Sequence, residues 1–207
     1  MHKPGHRPLG QKTEAALSMI RRKGLATPAD LARLGIPRGY LARLTHRGLV
    51  RQVGRGLYAW PGLDLGEHQS LLEAARLVPA GVICLLSALQ FHGLTTQVPH
   101  EVWLALPPGA WRPSPAHLKL RVSRFSGRAF SYGIRVRRER GIPLRVYSPA
   151  KTVADCFKFR NKVGLDVAIE ALREGLRGRL FAVDELWEAA GVVRMRAVLR
   201  PYLEAVA

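Results

Sequence analysis

Apolar residues near the start of the chain recur at helical spacing. Ala16, Leu17 and Ile20 form one stripe, which predicts a helix over Thr13–Arg22 ended by Gly24. Thr27, Pro28 and Asp30 then stand as a helix start. Threonine caps free amides, proline needs no donor in the first turn, and aspartate closes a capping box. A short second helix is predicted over Pro28–Leu34, burying Leu31 and Leu34. Gly35, Ile36 and Pro37 make a turn. A third helix follows over Pro37–His46, with Leu41 and Leu44 inward and Gly48 as its stop. Leu49–Val53 and Leu57–Trp60 read as strands of a hairpin, with Gly54 and Gly56 flanking Arg55 at its tip. Two short helices about a tight turn, then a hairpin, make the plan of a winged helix-turn-helix.

Beyond residue 63 the rhythm is mixed. Helices are predicted over Leu65–Leu77 and over the apolar run Val82–Leu94, strands over Val98–Leu106, Leu118–Phe125, Gly133–Arg138 and Arg145–Tyr147, and a loop over Pro107–Pro115. In the second of these strands Leu118, Leu120 and Val122 face in, and Lys119, Arg121 and Ser123 face out. Ser148 is expected to cap a helix from Pro149 through Phe157, and helices over Val163–Arg173, Val183–Ala190 and Met195–Leu203 complete the chain. The expected class is α+β: a basic arm over residues 1–12, a winged helix-turn-helix over 13–63, then an α+β domain over 64–207 with a small basic sheet and C-terminal helices.

Charge changes the picture most. The 207 residues carry 33 Lys and Arg against 15 Asp and Glu, a formal +18. A field of that sign favours a polyanionic partner. Residues 1–66 hold twelve basic residues against Glu14, Asp30 and Asp64; residues 112–145 hold ten against Glu139 alone; residues 146–207 are nearly balanced. Nucleic acid is therefore expected at the first two regions. Arg38, Arg43 and His46 fall on the outward side of the third helix with Gly39 and Ala42, and Arg47 lies at its end. Arg51 and Arg55 sit on the hairpin. Lys12, Arg121, Arg124, Arg135, Arg137 and Arg138 extend the candidate surface. RNA is the lesser expectation, because the basic strands lack interleaved exposed aromatics.

Little else points to chemistry. No phosphate-binding loop, dinucleotide fingerprint, zinc spacing or nucleophile elbow is present, so no cofactor, metal or catalytic residue is expected. Asp155, Asp166, Glu170 and Glu174 are carboxylates in the helical end, and Arg173 and Arg177 beside them favour surface ion pairs over a metal site. Cys84 and Cys156 read as buried thiols in a reducing cytoplasm. No apolar run reaches the roughly 18 residues that span a membrane. A nuclease targeted by the winged domain, and a protein adaptor, remain as alternatives.

The stretch GLATPADLARLGIPRGYLARLTHRGLVRQVGRGLYAWPG resembles the N-terminal domain of AbiEi-type antitoxins. LLSALQFHGLTTQVPHEVWLALP and YSPAKTVADCFKFRNKVGLDVAIEALREGL resemble the body of the same proteins, so the resemblance runs from about Ala15 to Leu199. It implies a bacterial repressor that binds inverted repeats in double-stranded DNA before its own operon, as monomer or dimer. It also implies a functional partner, a nucleotidyltransferase-like toxin of a type IV toxin–antitoxin (abortive infection, phage defence) system, opposed without a stable complex. Arg38, Arg43 and His46 match the groove-facing part of the family pattern, and Arg55 its wing. Family members without a toxin neighbour keep open a regulator with no antitoxin role.

Overall fold

The computed structural model describes residues 10–115 and 117–206. The expected arm, apart from its last residues, lies outside them. The fold is mixed α+β, with eleven α-helices and two small sheets among the described residues. It divides into two compact units, one running to Gly66 with Arg140–Ile142 and the other comprising 67–139 and 143 onward.

In the first unit, α1 (Gln11–Lys23) begins earlier than the apolar stripe indicates. Lys12, expected in the arm, is an exposed residue of its first turn. A two-residue strand β1 (Leu25–Ala26) leads into α2 (Pro28–Ala32) and then α3 (Gly39–His46). The Asp30 carboxylate accepts from the Thr27 amide at 2.8 Å and the Thr27 hydroxyl at 2.9 Å, so the expected box closes.

Both helices of the pair end alike. After α2, Gly35 (φ 67°) donates to the Ala32 carbonyl and Ile36 to Leu31; after α3, Gly48 (φ 66°) donates to Thr45 and Leu49 to Leu44. This pattern consumes free carbonyls and requires a left-handed residue that glycine takes without strain. It also corrects one expectation. Leu34 is 46% exposed, because α2 stops at Ala32 and the turn brings Ile36, not Leu34, into the core.

Strands β2 (Arg51–Gly54) and β3 (Leu57–Ala59) form the hairpin. β1 pairs with the other side of β3, making a three-stranded sheet in the order β1-β3-β2. The core joins Leu17 and Ile20 of α1, Leu31, Ile36, Leu41, Leu44 and Val50. Truncating one of these leucines or isoleucines to alanine would cost about 2–5 kcal/mol.

The second unit holds a five-stranded sheet in the order β6-β5-β4-β8-β7. Its strands are β4 (Val82–Ile83), β5 (Val102–Leu106), β6 (Leu120–Arg124), β7 (Ile134–Glu139) and β8 (Ile142–Tyr147). Its helices are α4 (Gln69–Leu77), α5 (Leu85–Phe91), α6 (Gly127–Ser131), α7 (Pro149–Lys158), α8 (Arg160–Val163), α9 (Leu165–Arg177), α10 (Val183–Val192) and α11 (Arg196–Glu204). The run Val82–Leu94, expected to be one helix, is strand then helix. Val82 and Ile83 pair with Ala105 and Leu104 of β5, and Cys84 donates to the Trp103 carbonyl before α5 starts. A short apolar run satisfies either periodicity; only its sheet partners decide.

β5 is buried along its whole length. Trp103 and Ala105 join the cluster formed with α5, α7, α9 and α10, while Val102, Leu104 and Leu106 join the one with α4. Both sheet faces are thus covered, which explains a second correction. Ser123, expected outward, is buried because it sits opposite Ala105 under the helices. Ser148 caps α7 as expected, accepting from the Lys151 amide.

Candidate nucleic-acid interface

α3 has two distinct faces. Leu41 and Leu44 are buried, while Gly39, Ala42, Arg43 and His46, spaced for one helical face, are all exposed. Arg38 at the N-terminal cap and Arg47 at the C-terminal cap are also exposed, flanking that face. The Arg43 guanidinium lies 4.4 Å from the centre of the Tyr40 ring, which restricts its rotamers without neutralising it. Tyr40 is in turn fixed by its hydroxyl, 2.6 Å from the buried Thr13 hydroxyl. Sequence reasoning missed this support, although the i, i+3 spacing of Tyr40 and Arg43 signals it.

The wing residues differ from one another. Arg55 stands exposed in the hairpin turn beside Gly56 (φ 75°). Arg51 is half-buried, and its Nη2 donates to the Leu63 carbonyl at 2.7 Å. That bond ties the segment after the wing to the sheet, so Arg51, expected to brace DNA, serves the fold through this nitrogen.

The candidate cations of the second unit also divide. Arg121 lies 4.2 Å over the Trp103 ring and 3.3 Å from Glu101, and Arg124 donates to the Pro107 carbonyl at 2.9 Å. Arg135, Arg137 and Arg138 are exposed on β7, an outer strand of the sheet. Charge on such an edge also discourages strand pairing with other chains.

No three or more His, Cys, Asp or Glu among the described residues are placed to hold a metal ion. Glu174 pairs with Arg177 on α9, and Glu170 accepts from the Thr95 hydroxyl and the Thr96 amide. Asp155 is fully buried and bonded at 2.5 Å to Lys151, also fully buried. Burial pushes the Asp155 carboxyl up to about 6 against the pull of Lys151, and burial lowers the lysine against the pull of Asp155. Cys84 and Cys156 are buried free thiols, raised by that burial. His92 is lowered by burial, with Nε2 2.7 Å from the Tyr147 carbonyl.

With that geometry in place, residues 16–61 match the family profile described as a transcriptional regulator, AbiEi antitoxin. The match is confined to this N-terminal span. The matched span contains α2, the turn, α3 and the hairpin, together with most of α1. The whole chain is also similar in fold to the crystal structure of the RV2827C protein from Mycobacterium tuberculosis. That similarity has a TM-score of 0.62 at 16% identity, and covers 98% of this chain and 79% of the other. No sequence among the curated proteins matches. No described helix is long and apolar enough to cross a membrane.

Proposed function

We propose that the chain is a sequence-specific repressor acting on double-stranded DNA. α3 enters the major groove. Arg43 and His46 face base edges across the small residues Gly39 and Ala42, and Arg38 and Arg47 hold the flanking phosphates. Arg55 reaches phosphate or a narrow minor groove from the wing. The arginines of β7 lengthen the footprint. The observation that carries this reading is the exposed cationic face of α3, backed on its other side by the buried leucines.

The family match supports a regulatory role, and the antitoxin half of a type IV pair follows from the resemblance. The target is then an inverted repeat before the chain's own gene, and the partner is a nucleotidyltransferase-like toxin opposed without a stable complex. Footprinting of the purified chain on its upstream DNA, with excess random duplex across a salt series, tests the reading. A discrete protected repeat is the expected result. Diffuse protection that random duplex removes would overturn sequence specificity.

A further inference from the structure

The connection from β5 to β6 is unusual for its length. The two strands are parallel, and the thirteen residues 107–119 between them contain no helix or strand among those described. A loop of that length inside a compact unit commonly carries function. This one is rich in proline. Pro107, Pro108, Pro113 and Pro115 fix the backbone, Pro113 is buried, and Gly109 takes φ 76°. Arg124 and the Ala110 amide hold the Pro107 carbonyl, and the Val102 amide holds that of Lys119.

The loop presents an indole to solvent. Trp111 is 78% exposed, the most exposed large hydrophobic side chain described. Next to it in sequence, Arg112 begins the lining of a hollow of about 320 Å³, whose walls include Pro113, Pro115, Leu118, Lys119 and Glu101. Glu101 is bridged by Arg121 at 3.3 Å, so Arg112 and Lys119 give the hollow a net positive field. An exposed aromatic face, a mostly polar recess and two cations on a proline-rich loop suit one chemistry. They suit an unstacked base and its phosphate.

We propose that the Trp111 loop is a contact site for single-stranded nucleic acid, separate in kind from the duplex contact of α3. Trp111 stacks on an exposed base, and Arg112 and Lys119 take the adjoining phosphates. A duplex hides base faces in its stack, so this site selects unpaired strands. Stacking is tolerant of base identity, and DNA and RNA strands share the chemistry.

The test is fluorescence anisotropy of the full chain with labelled twelve-nucleotide oligo-dT and oligo-U, in a salt series and with excess unlabelled duplex. Binding that resists the duplex is expected. W111A should weaken it roughly fivefold to a hundredfold, the effect of losing one stacked base, while W111F keeps most of it. R112A/K119A should lower the salt slope by about 1.4, the share of two single-strand phosphates. Preference for one oligonucleotide identifies the source of the strand. The inference is overturned if W111A, with unchanged melting, binds both as the parent does, or if duplex displaces them fully. Footprinting on duplex is read separately, so repression and strand binding fail or stand independently.

Discussion

Each unit buries an aspartate against a lysine, and the two pairs are built differently. Asp30 accepts from the Thr27 amide and hydroxyl and from Lys23, whose side chain stays about a third exposed. Every oxygen has a donor, and the lysine keeps contact with water. Lys151 and Asp155 are both dry. The Lys151 ammonium lies 4.2 Å from the Tyr147 ring centre and 5.0 Å from that of Phe125, while Oδ1 of Asp155 has no hydrogen-bond partner. The first pair is a helix cap with a salt bridge attached. The second is an ion pair held only by the packing around it. Its attraction is offset by the loss of two hydration shells, whereas a cap gives up little water.

The largest effect is expected where the pair is dry. K151M leaves a buried carboxylate alone and should destabilise the second unit by about 3–5 kcal/mol, while K151M/D155L should recover most of that loss. Urea unfolding of both variants checks this; a double variant as weak as the single one would break the contrast. D30A, by comparison, should cost only about 1–2 kcal/mol, because Thr27 and Lys23 can turn to water. The pairs should also differ with pH. Asp155 holds its proton more tightly when folded, so its contribution to stability falls as pH rises from about 4 to about 6. D155N should flatten that slope in unfolding curves measured at several pH values.

The arginines of the two units sharpen the same contrast. Arg43 is positioned by an aromatic ring on an exposed face, whereas Arg121 and Arg124 are tied to Glu101, Trp103 and the Pro107 carbonyl. In the proposed complex, R43A should reduce operator preference by roughly fivefold to 160-fold, about 1–3 kcal/mol. R55A should lower the salt slope on every duplex by about 0.9. R124A should leave duplex affinity unchanged. Competition binding on operator and random duplex measures all three, and a large loss for R124A would show that its bond to Pro107 yields to phosphate.

Much of the first unit was legible because its signals are local. Thr27, Pro28 and Asp30 fix one helix start by their own chemistry, Gly48 ends α3, and the Gly54–Gly56 turn presents Arg55. Leu34 was misjudged because the end of α2 decides its burial, and the bond from Arg51 to a carbonyl twelve residues away has no local signal. In the second unit the misjudged residues lie in the sheet: Val82 and Ile83 pair with β5 and not with a helical turn, and Ser123 meets a covered face. Trp111 was invisible as a candidate, since nothing in a proline-rich run says which side chain stays in water.

The sequence by itself determined the helices of the first unit, the helix starts at Thr27 and Ser148, the hairpin and the excess of positive charge, because backbone preference and ionisation act within a few residues. Only the tertiary structure decided which of those charges face solvent, that Lys151 and Asp155 share a dry interior, and that a tryptophan stands exposed. Burial depends on which distant elements cover a residue, and no local pattern encodes that.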